Sequence, residues 1–159
     1  MFDDKDLMDL PLIDIFTEGT DYDDAGSLLV NIMLHLLKLK YCTDPSHSND
    51  DGWQRSVRDS RQRILTYIHK SNKNIQFGDF KENDKYSKYY DDKTMGSIYE
   101  KAVIKYKSVA KKYDDLKDGL KHIPDDCPWT FAILMNTNKV NDRGNVVPNY
   151  QKLILYLPR

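Results

Sequence analysis

Residues 27–41 (SLLVNIMLHLLKLKY) form the stretch that most constrains how this chain can fold. Apolar residues recur there at helical spacing and cover most of the helix circumference, at Leu28, Leu29, Ile32, Met33, Leu36, Leu37 and Leu39. A helix that is apolar on nearly every side is stable in water only when other elements surround it. The stretch therefore predicts a buried central helix, and 159 residues are enough for one domain with such a core.

Three polar residues interrupt this helix along a single stripe. Asn31, His35 and Lys38 have the spacing i, i+4 and i+7, which places them one above another. The helix is too short and too interrupted to cross a bilayer, and the chain carries no signal-peptide pattern. The sequence thus predicts a cytoplasmic protein with no membrane partner.

A second helix is predicted from the polar loop at residues 43–51 to about residue 70, with Asp50 or Asp51 as its cap. Its apolar face consists of Trp53, Val57, Ile64 and Ile68. At 100° per residue Arg61 lies inside that face. A guanidinium in such a position requires a carboxylate, a carbonyl or an aromatic ring as its partner.

Beyond this helix, residues 71–93 indicate an irregular connection with one short helix. Apolar residues at three- and four-residue spacing then predict an amphipathic helix over residues 97–113 with a solvated lysine face. Gly119 ends a further turn of helix. Pro128 is predicted at the first position of a short helix through about residue 135, with Cys127 at the cap position.

The tail has a different composition. Residues 138–149 are turn-like, and Arg143-Gly144-Asn145 resembles a hairpin tip. Residues 150–157 (YQKLILYL) favour an edge strand pairing with residues 137–140, with a final helix as the alternative. The predicted fold class is mainly α: a single helical-bundle domain (27–137), preceded by an acidic segment packing on it (1–26) and followed by a short C-terminal β or irregular addition (138–159).

Three segments keep a distinctive order and spacing: MLHLLKLKY at 33–41, GWQRSVRDSRQRI at 52–64 and IPDDCPWTFAIL at 123–134. Together they resemble the DUF29 family of small, mainly bacterial proteins, whose pattern is an HLLKW-like helix, a Trp followed by an Arg-repeat helix, and a CPWT-like loop and helix. The resemblance covers about residues 27–135 and implies an all-helical bundle, but the family name records no activity. The chain departs from the pattern in its short acidic front, at Gln54 and Gln62, and beyond residue 138.

One polar set could handle a phosphate or transfer a proton, and it comprises His35, Lys38, Arg55, Arg58 and Arg61. In the simpler interpretation His35 is a core histidine and Arg61 pairs with Asp125 or Asp126. Trp53 and Trp129 are interpreted as packing residues rather than as ligand-stacking ones.

The sequence predicts no metal site and no cofactor. Its four histidines are scattered, and the two cysteines, Cys42 and Cys127, lack metal-ligand spacing and an adjacent histidine motif. Glycine-rich phosphate loops and hydrolase motifs are also missing.

Charge is unevenly spread although the net charge is only −1. Residues 1–26 hold nine acidic residues against Lys5, whereas residues 52–73 are basic, so the two regions can pair with each other or face a partner.

With no catalytic signature, the favoured hypothesis is a small non-enzymatic protein-binding module, such as an inhibitor, antitoxin or immunity-type protein of microbial or phage conflict. Its predicted contact residues are Asp14, Glu18, Asp21, Asp23, Asp24, Arg143, Tyr150, Lys152 and Tyr156. The alternative is a nucleic-acid-binding or nuclease-like protein using His35, Lys38, Arg58 and Arg61.

Overall fold

The computed structural model describes residues 19–159, with side chains from Asp24 onward. Within these residues the fold is mainly helical, as predicted, with one small antiparallel sheet. The helices are α1 (Gly19–Tyr41), α2 (Asp50–His69), α3 (Lys85–Tyr89), α4 (Asp92–Ala110), α5 (Asp114–Gly119), α6 (Phe131–Asn136) and α7 (Tyr150–Ile154), and the strands are β1 (Asn138–Val140) and β2 (Val146–Pro148).

The predicted central helix is confirmed in α1. Met33, Leu36 and Leu37 have no exposed surface, and α2, α4, α5 and α7 all pack against the helix. Each fully buried side chain of this kind stabilises the fold by about 1.5–3 kcal/mol. α1 begins at Gly19 and runs without interruption through residues 26 and 27.

The helix caps differ from the predicted ones. Asn49 caps α2 by accepting a hydrogen bond from the amide of Gly52 at 3.3 Å. The predicted caps Asp50 and Asp51 occupy the first turn instead, where their charge faces the positive end of the helix dipole. Thr130, whose hydroxyl accepts from the amide of Ile133 at 3.1 Å, caps α6.

Because Thr130 is the cap of α6, Cys127 and Pro128 precede the helix rather than open it, and the prediction for these two residues was wrong. Trp129 is buried, and its indole N–H donates to the carbonyl of Leu153 at 2.9 Å. The packing role predicted for Trp129 is therefore confirmed.

The hairpin predicted around residue 144 is present. β1 and β2 pair in antiparallel register with Val140 opposite Val146. Gly144 has a φ of +81°, and the side chain of Asn141 accepts from the amides of Arg143 and Asn145. The left-handed backbone at the tip is one that glycine adopts without strain.

Residues 150–154 form α7, so the predicted edge strand over 150–157 was wrong, and the partner of β1 is β2. Asn149 caps α7 by accepting from the amide of Lys152 at 3.1 Å. Tyr150, Leu153 and Leu157 are buried at a spacing of three to four residues, which is a helical rather than a strand period.

Arg61 lies on the buried face of α2 with 1% of its surface exposed. Its Nη1 donates to the carbonyl of Leu134 at 3.4 Å and to the side-chain oxygen of Asn138, and its guanidinium lies 4.0 Å from the ring centroid of Phe77. Burial lowers the pKa of Arg61 to about 10. The predicted ionic tie to Asp125 or Asp126 is therefore wrong, since two neutral oxygens and an aromatic ring hold this cation.

Gly119, at the end of α5, packs directly against two tyrosines of the core. A Cβ at this position would lie 2.6 Å from Cβ of Tyr41 and 2.7 Å from the hydroxyl of Tyr106. Neither ring can move freely, because the Tyr41 hydroxyl donates to the carbonyl of Pro158 and the Tyr106 hydroxyl donates to that of Leu116.

We expect Gly119→Ala to lower the free energy of unfolding by about 2 kcal/mol, because overpacking outweighs the better helix propensity of alanine. The matched control is Gly96→Ala in α4, where a Cβ meets no atom within 4 Å. That variant should be as stable as the parent or more stable by up to about 1 kcal/mol. Urea unfolding measures both, and equal effects at the two positions would contradict the close approach.

We expect Arg61→Lys to lower the free energy of unfolding by about 2–3 kcal/mol, because lysine keeps the buried charge but cannot span both acceptors and the ring. Arg61→Met removes the charge, and its loss of unfolding free energy should be about 1 kcal/mol smaller than that of Arg61→Lys. Arg55→Lys, at an exposed position of α2, should change stability by less than about 0.5 kcal/mol. Chemical denaturation compares the three; a larger loss in Arg61→Met than in Arg61→Lys would show that charge burial is not the dominant cost.

Candidate functional site

The polar stripe of α1 faces α2. The amide nitrogen of Asn31 donates to the hydroxyls of Ser56 and Ser60, each at 2.8 Å. This pair of bonds joins the two helices along the side of α1 that is not apolar. The stripe therefore acts first as an interhelical contact.

His35 and Lys38 lie next to each other on this stripe, as predicted. The Nδ1–H of His35 donates to the carbonyl of Asn31 at 2.7 Å, and burial together with the charge of Lys38 lowers the pKa of His35. Burial also lowers the pKa of Lys38, whose ammonium lies 5.8 Å from the ring centroid of Trp53. Near neutral pH His35 is an uncharged imidazole whose Nδ1 proton is held inside its own helix.

The arginines of the predicted polar set do not share one surface. Arg55 and Arg58 are exposed, and Arg58 forms an ion pair with its neighbour Asp59 at 3.2 Å. Arg61 points into the core. The structure thus brings His35 and Lys38 together but does not place all five residues of the set in one solvent-facing site.

Most of the acidic side chains that were predicted to contact a partner lie outside the part of the chain that the structure describes. Asp14 and Glu18 precede the described residues, and Asp21 and Asp23 lie in α1 with side chains outside the description. Asp24 is exposed and accepts a hydrogen bond from the hydroxyl of Tyr67 at 3.3 Å.

Tyr67 links the acidic and basic regions within the fold. The same hydroxyl that donates to Asp24 accepts from Nη2 of Arg63 at 3.1 Å. One acidic residue of the front and one arginine of α2 are thereby joined through a shared phenol, in line with pairing inside the molecule.

The tail candidates divide into exposed and buried residues. Arg143 and Lys152 are exposed, and Tyr156 is 45% exposed. Tyr150 is only 8% exposed, and its hydroxyl donates to the carbonyl of Gln54 at 2.8 Å. Tyr150 is therefore a packing residue that anchors α7 on α2, which corrects its assignment as a contact residue.

Large exposed apolar side chains are concentrated in the same tail. In the part of the chain that the structure describes, these are Ile104 (66% exposed), Val140 (67%), Val146 (50%), Leu155 (75%) and Tyr156 (45%). All but Ile104 follow residue 138. Val140 and Val146 are opposite each other in the hairpin register, so both side chains project from the same face of the sheet. Sequence reasoning named only Tyr156 of this group.

A cleft of about 530 Å³ lies between the first turns of α4 and the loop before α6. Its charged walls are mostly acidic, with Asp92, Glu100, Asp125 and Asp126 against Lys93. Cys127 and Trp129 also line this cleft. The Cys127 thiol donates to the carbonyl of Trp129 at 3.2 Å, and burial raises its pKa to about 11. A thiol in that state is a packed donor rather than a nucleophile.

Sequence reasoning missed a cluster formed by Cys42, His47 and Asp115. Sγ of Cys42 lies 3.5 Å from Nδ1 of His47, and Nε2 of His47 lies 2.9 Å from Oδ1 of Asp115. Burial and the nearby Asp115 carboxylate raise the pKa of Cys42. The Cys-x4-His spacing was a signal for the first two residues, whereas Asp115 is distant in sequence.

No helix among residues 19–159 is long and apolar enough to cross a membrane.

The sequence model of the family described as "Domain of unknown function DUF29" matches residues 18–139. No curated protein and no solved structure matches the chain. The match begins just before α1, ends within β1, and includes the buried helix, the arginine helix and the CPWT segment. Because it covers well over half of the sequence, the chain belongs to the DUF29 family.

Proposed function

We propose that this protein is a non-enzymatic protein-binding module of the inhibitor, antitoxin or immunity type. Its contact surface is the tail surface, which we define as Val140, Val146, Leu155 and Tyr156. The observation that carries the proposal is the concentration of exposed large apolar side chains within residues 138–159.

Exposed apolar side chains that are scattered singly are ordinary on a protein surface, whereas grouped ones mark interaction sites. Covering them with a partner stabilises the complex by about 25 cal/mol per Å² removed from water. Arg143 and Lys152, both exposed, supply charged groups in the same segment, as the polar rim of an interface does.

The hairpin offers a second means of recognition. β1 and β2 form a two-stranded sheet, so each described strand has one edge without a strand partner. An extended segment of another protein can add to such an edge through main-chain hydrogen bonds, while side-chain pockets provide specificity. Val140 and Val146 would then contact the partner from one face of the extended sheet.

The tail surface rests on a firmly packed base. Leu153 and Leu157 are buried, the indole of Trp129 donates to the carbonyl of Leu153, and the Tyr41 hydroxyl donates to that of Pro158 at 2.6 Å. A rigid base reduces the ordering cost of binding. It also means that deleting residues 139–159 would remove part of the core, so point substitutions are the better experiment.

The acidic residues at the start of the chain form a proposed second contact. Asp14, Glu18, Asp21, Asp23 and Asp24 would steer a basic partner surface toward the module. Loss of this contact would act mainly on the association rate and its dependence on salt.

A nucleic-acid-binding protein is the second candidate function. It is favoured by the exposure of Arg55 and Arg58 on α2 and by the exposed lysines of α4, which are Lys93, Lys101, Lys105 and Lys107. These groups can contact phosphates without any reading of base sequence. A catalytic version of this candidate would use His35 and Lys38.

We expect the double variant Val140→Ser/Val146→Ser to weaken binding to the native partner by at least about tenfold, because neither side chain can then bury apolar surface against the partner. The partner is captured from host lysate, identified by mass spectrometry and purified, and the affinity is measured by titration calorimetry. The matched control is Ile104→Ser, which removes an equally exposed apolar side chain from α4 and should change affinity by less than about twofold.

The double variant Leu155→Ser/Tyr156→Ser tests the other half of the tail surface in the same assay. Partner affinity that stays at the parent value in both double variants would overturn the proposed contact surface. A loss of function in His35→Ala at unchanged melting temperature would overturn the non-enzymatic assignment.

If nucleic acid is the ligand, binding should fall steeply with salt, because bound cations release counterions from the phosphates. Arg55→Ala/Arg58→Ala should reduce the slope of log K against log salt by about one for each phosphate that an arginine neutralises in the parent. Fluorescence anisotropy with a single-stranded and a double-stranded oligonucleotide measures this slope. Binding that is absent, or that does not respond to salt, would exclude the second candidate.

A further inference from the structure

Cys42, His47 and Asp115 come from three different places in the chain. Cys42 directly follows α1, His47 lies in the loop between α1 and α2, and Asp115 lies in the first turn of α5. A thiolate, an imidazole and a carboxylate are the three side-chain ligand types that zinc accepts. Ligand atoms of all three residues lie within 4.8 Å of one another.

One separation already resembles that of two neighbouring ligands around a cation. The distance of 3.5 Å from Sγ of Cys42 to Nδ1 of His47 matches that between two ligands of a tetrahedral zinc ion with bonds of about 2.3 and 2.0 Å. Nε2 of His47 is 2.9 Å from Oδ1 of Asp115, and the Cys42 sulfur lies within 4.8 Å of a ligand atom of each of the other two residues. The ligand atoms of the three residues are therefore close enough to share one cation.

Two of the three side chains are held in position by their surroundings. Oδ2 of Asp115 accepts from the amides of Thr43 at 2.7 Å and Asp44 at 3.1 Å. The His47 ring stacks on Tyr113 with the centroids 4.0 Å apart. Ligands that are fixed in advance lose little conformational freedom on binding a metal, and this raises affinity.

The surrounding charge favours a cation. The carboxylates of Asp44 and Asp115 interact with His47, and that of Asp50 interacts with Cys42. All three members of the cluster are half-buried, so a fourth coordination position can be open to solvent.

We propose that Cys42, His47 and Asp115 bind a divalent zinc-class cation through Sγ, one ring nitrogen and one carboxylate oxygen. The cation replaces the hydrogen bonds that the three side chains make with one another. It also fastens the loop between α1 and α2 to α5.

The test uses the full chain, reduced and freed of metal with a chelator. Titration with Co²⁺ should produce the thiolate-to-cobalt charge-transfer absorption and saturate at one cobalt per chain. Added Zn²⁺ should remove that absorption and raise the melting temperature, because it binds the folded state. Cys42→Ser should abolish the charge-transfer band, and His47→Gln and Asp115→Asn should weaken Co²⁺ binding by at least about tenfold.

Cys127→Ser is the matched control, because Cys127 is the other cysteine of the chain and lies outside the cluster. It should bind Co²⁺ like the parent, and far-UV circular dichroism confirms that each variant is folded. If Asp115→Asn does not fold, the charge-transfer band of Cys42→Ser decides whether the cluster binds the metal. A parent protein without the charge-transfer band, or a band that Cys127→Ser removes and Cys42→Ser retains, would overturn the proposal.

Discussion

The constraint on which the rest of the structure depends is the burial of α1 on nearly every side. A helix with so little polar surface requires neighbours around its whole circumference, and the chain supplies them from α2, α4, α5 and α7. The polar stripe is no exception, since Asn31 uses it to bind two serines of α2. The need to cover α1 therefore accounts for the packing of four other helices against it.

Arg61 shows how the fold accommodates a charge inside that core. A buried ion pair would require a carboxylate to be desolvated as well, at a cost that Coulomb attraction often fails to offset. Here the guanidinium meets a carbonyl, an amide oxygen and an aromatic face, which disperse its charge without a second ion. The arrangement links α2 to the end of α6 and to β1, and so it orients the tail.

The sequence was sufficient to predict those helices in which the helical spacing of apolar residues repeats over many turns. α1, α2 and α4 are long amphipathic or apolar helices, and their existence and buried faces could be predicted. Short elements could not be, because YQKLILYL satisfies a strand and a helix about equally until the cap at Asn149 and the burial of Tyr150 decide. The sequence also could not decide between Asn49 and Asp50 as the cap of α2, since asparagine and aspartate cap helices equally well.

The candidate sites depended on interactions that no local pattern contains. The partners of Arg61 lie 73 and 77 residues away, and Asp115 lies 72 residues from the amide of Thr43 that positions it. Residue type indicated that Arg61 needed a partner but not which atoms would serve. For the cluster of Cys42, His47 and Asp115, the sequence contains only the local Cys-x4-His pair and gives no sign of Asp115.

The bond from Tyr41 to Pro158 spans 117 residues and has a consequence for how the chain is made. When the ribosome has synthesised α1 and α2, the sides of α1 that α4, α5 and α7 will cover are still open. The part covered by α7 stays open until residues 150–159 have emerged from the exit tunnel, since α7 and Leu157 complete the enclosure. The nascent chain therefore passes through a stage in which one side of a strongly apolar helix is accessible to chaperones and to other unfinished chains.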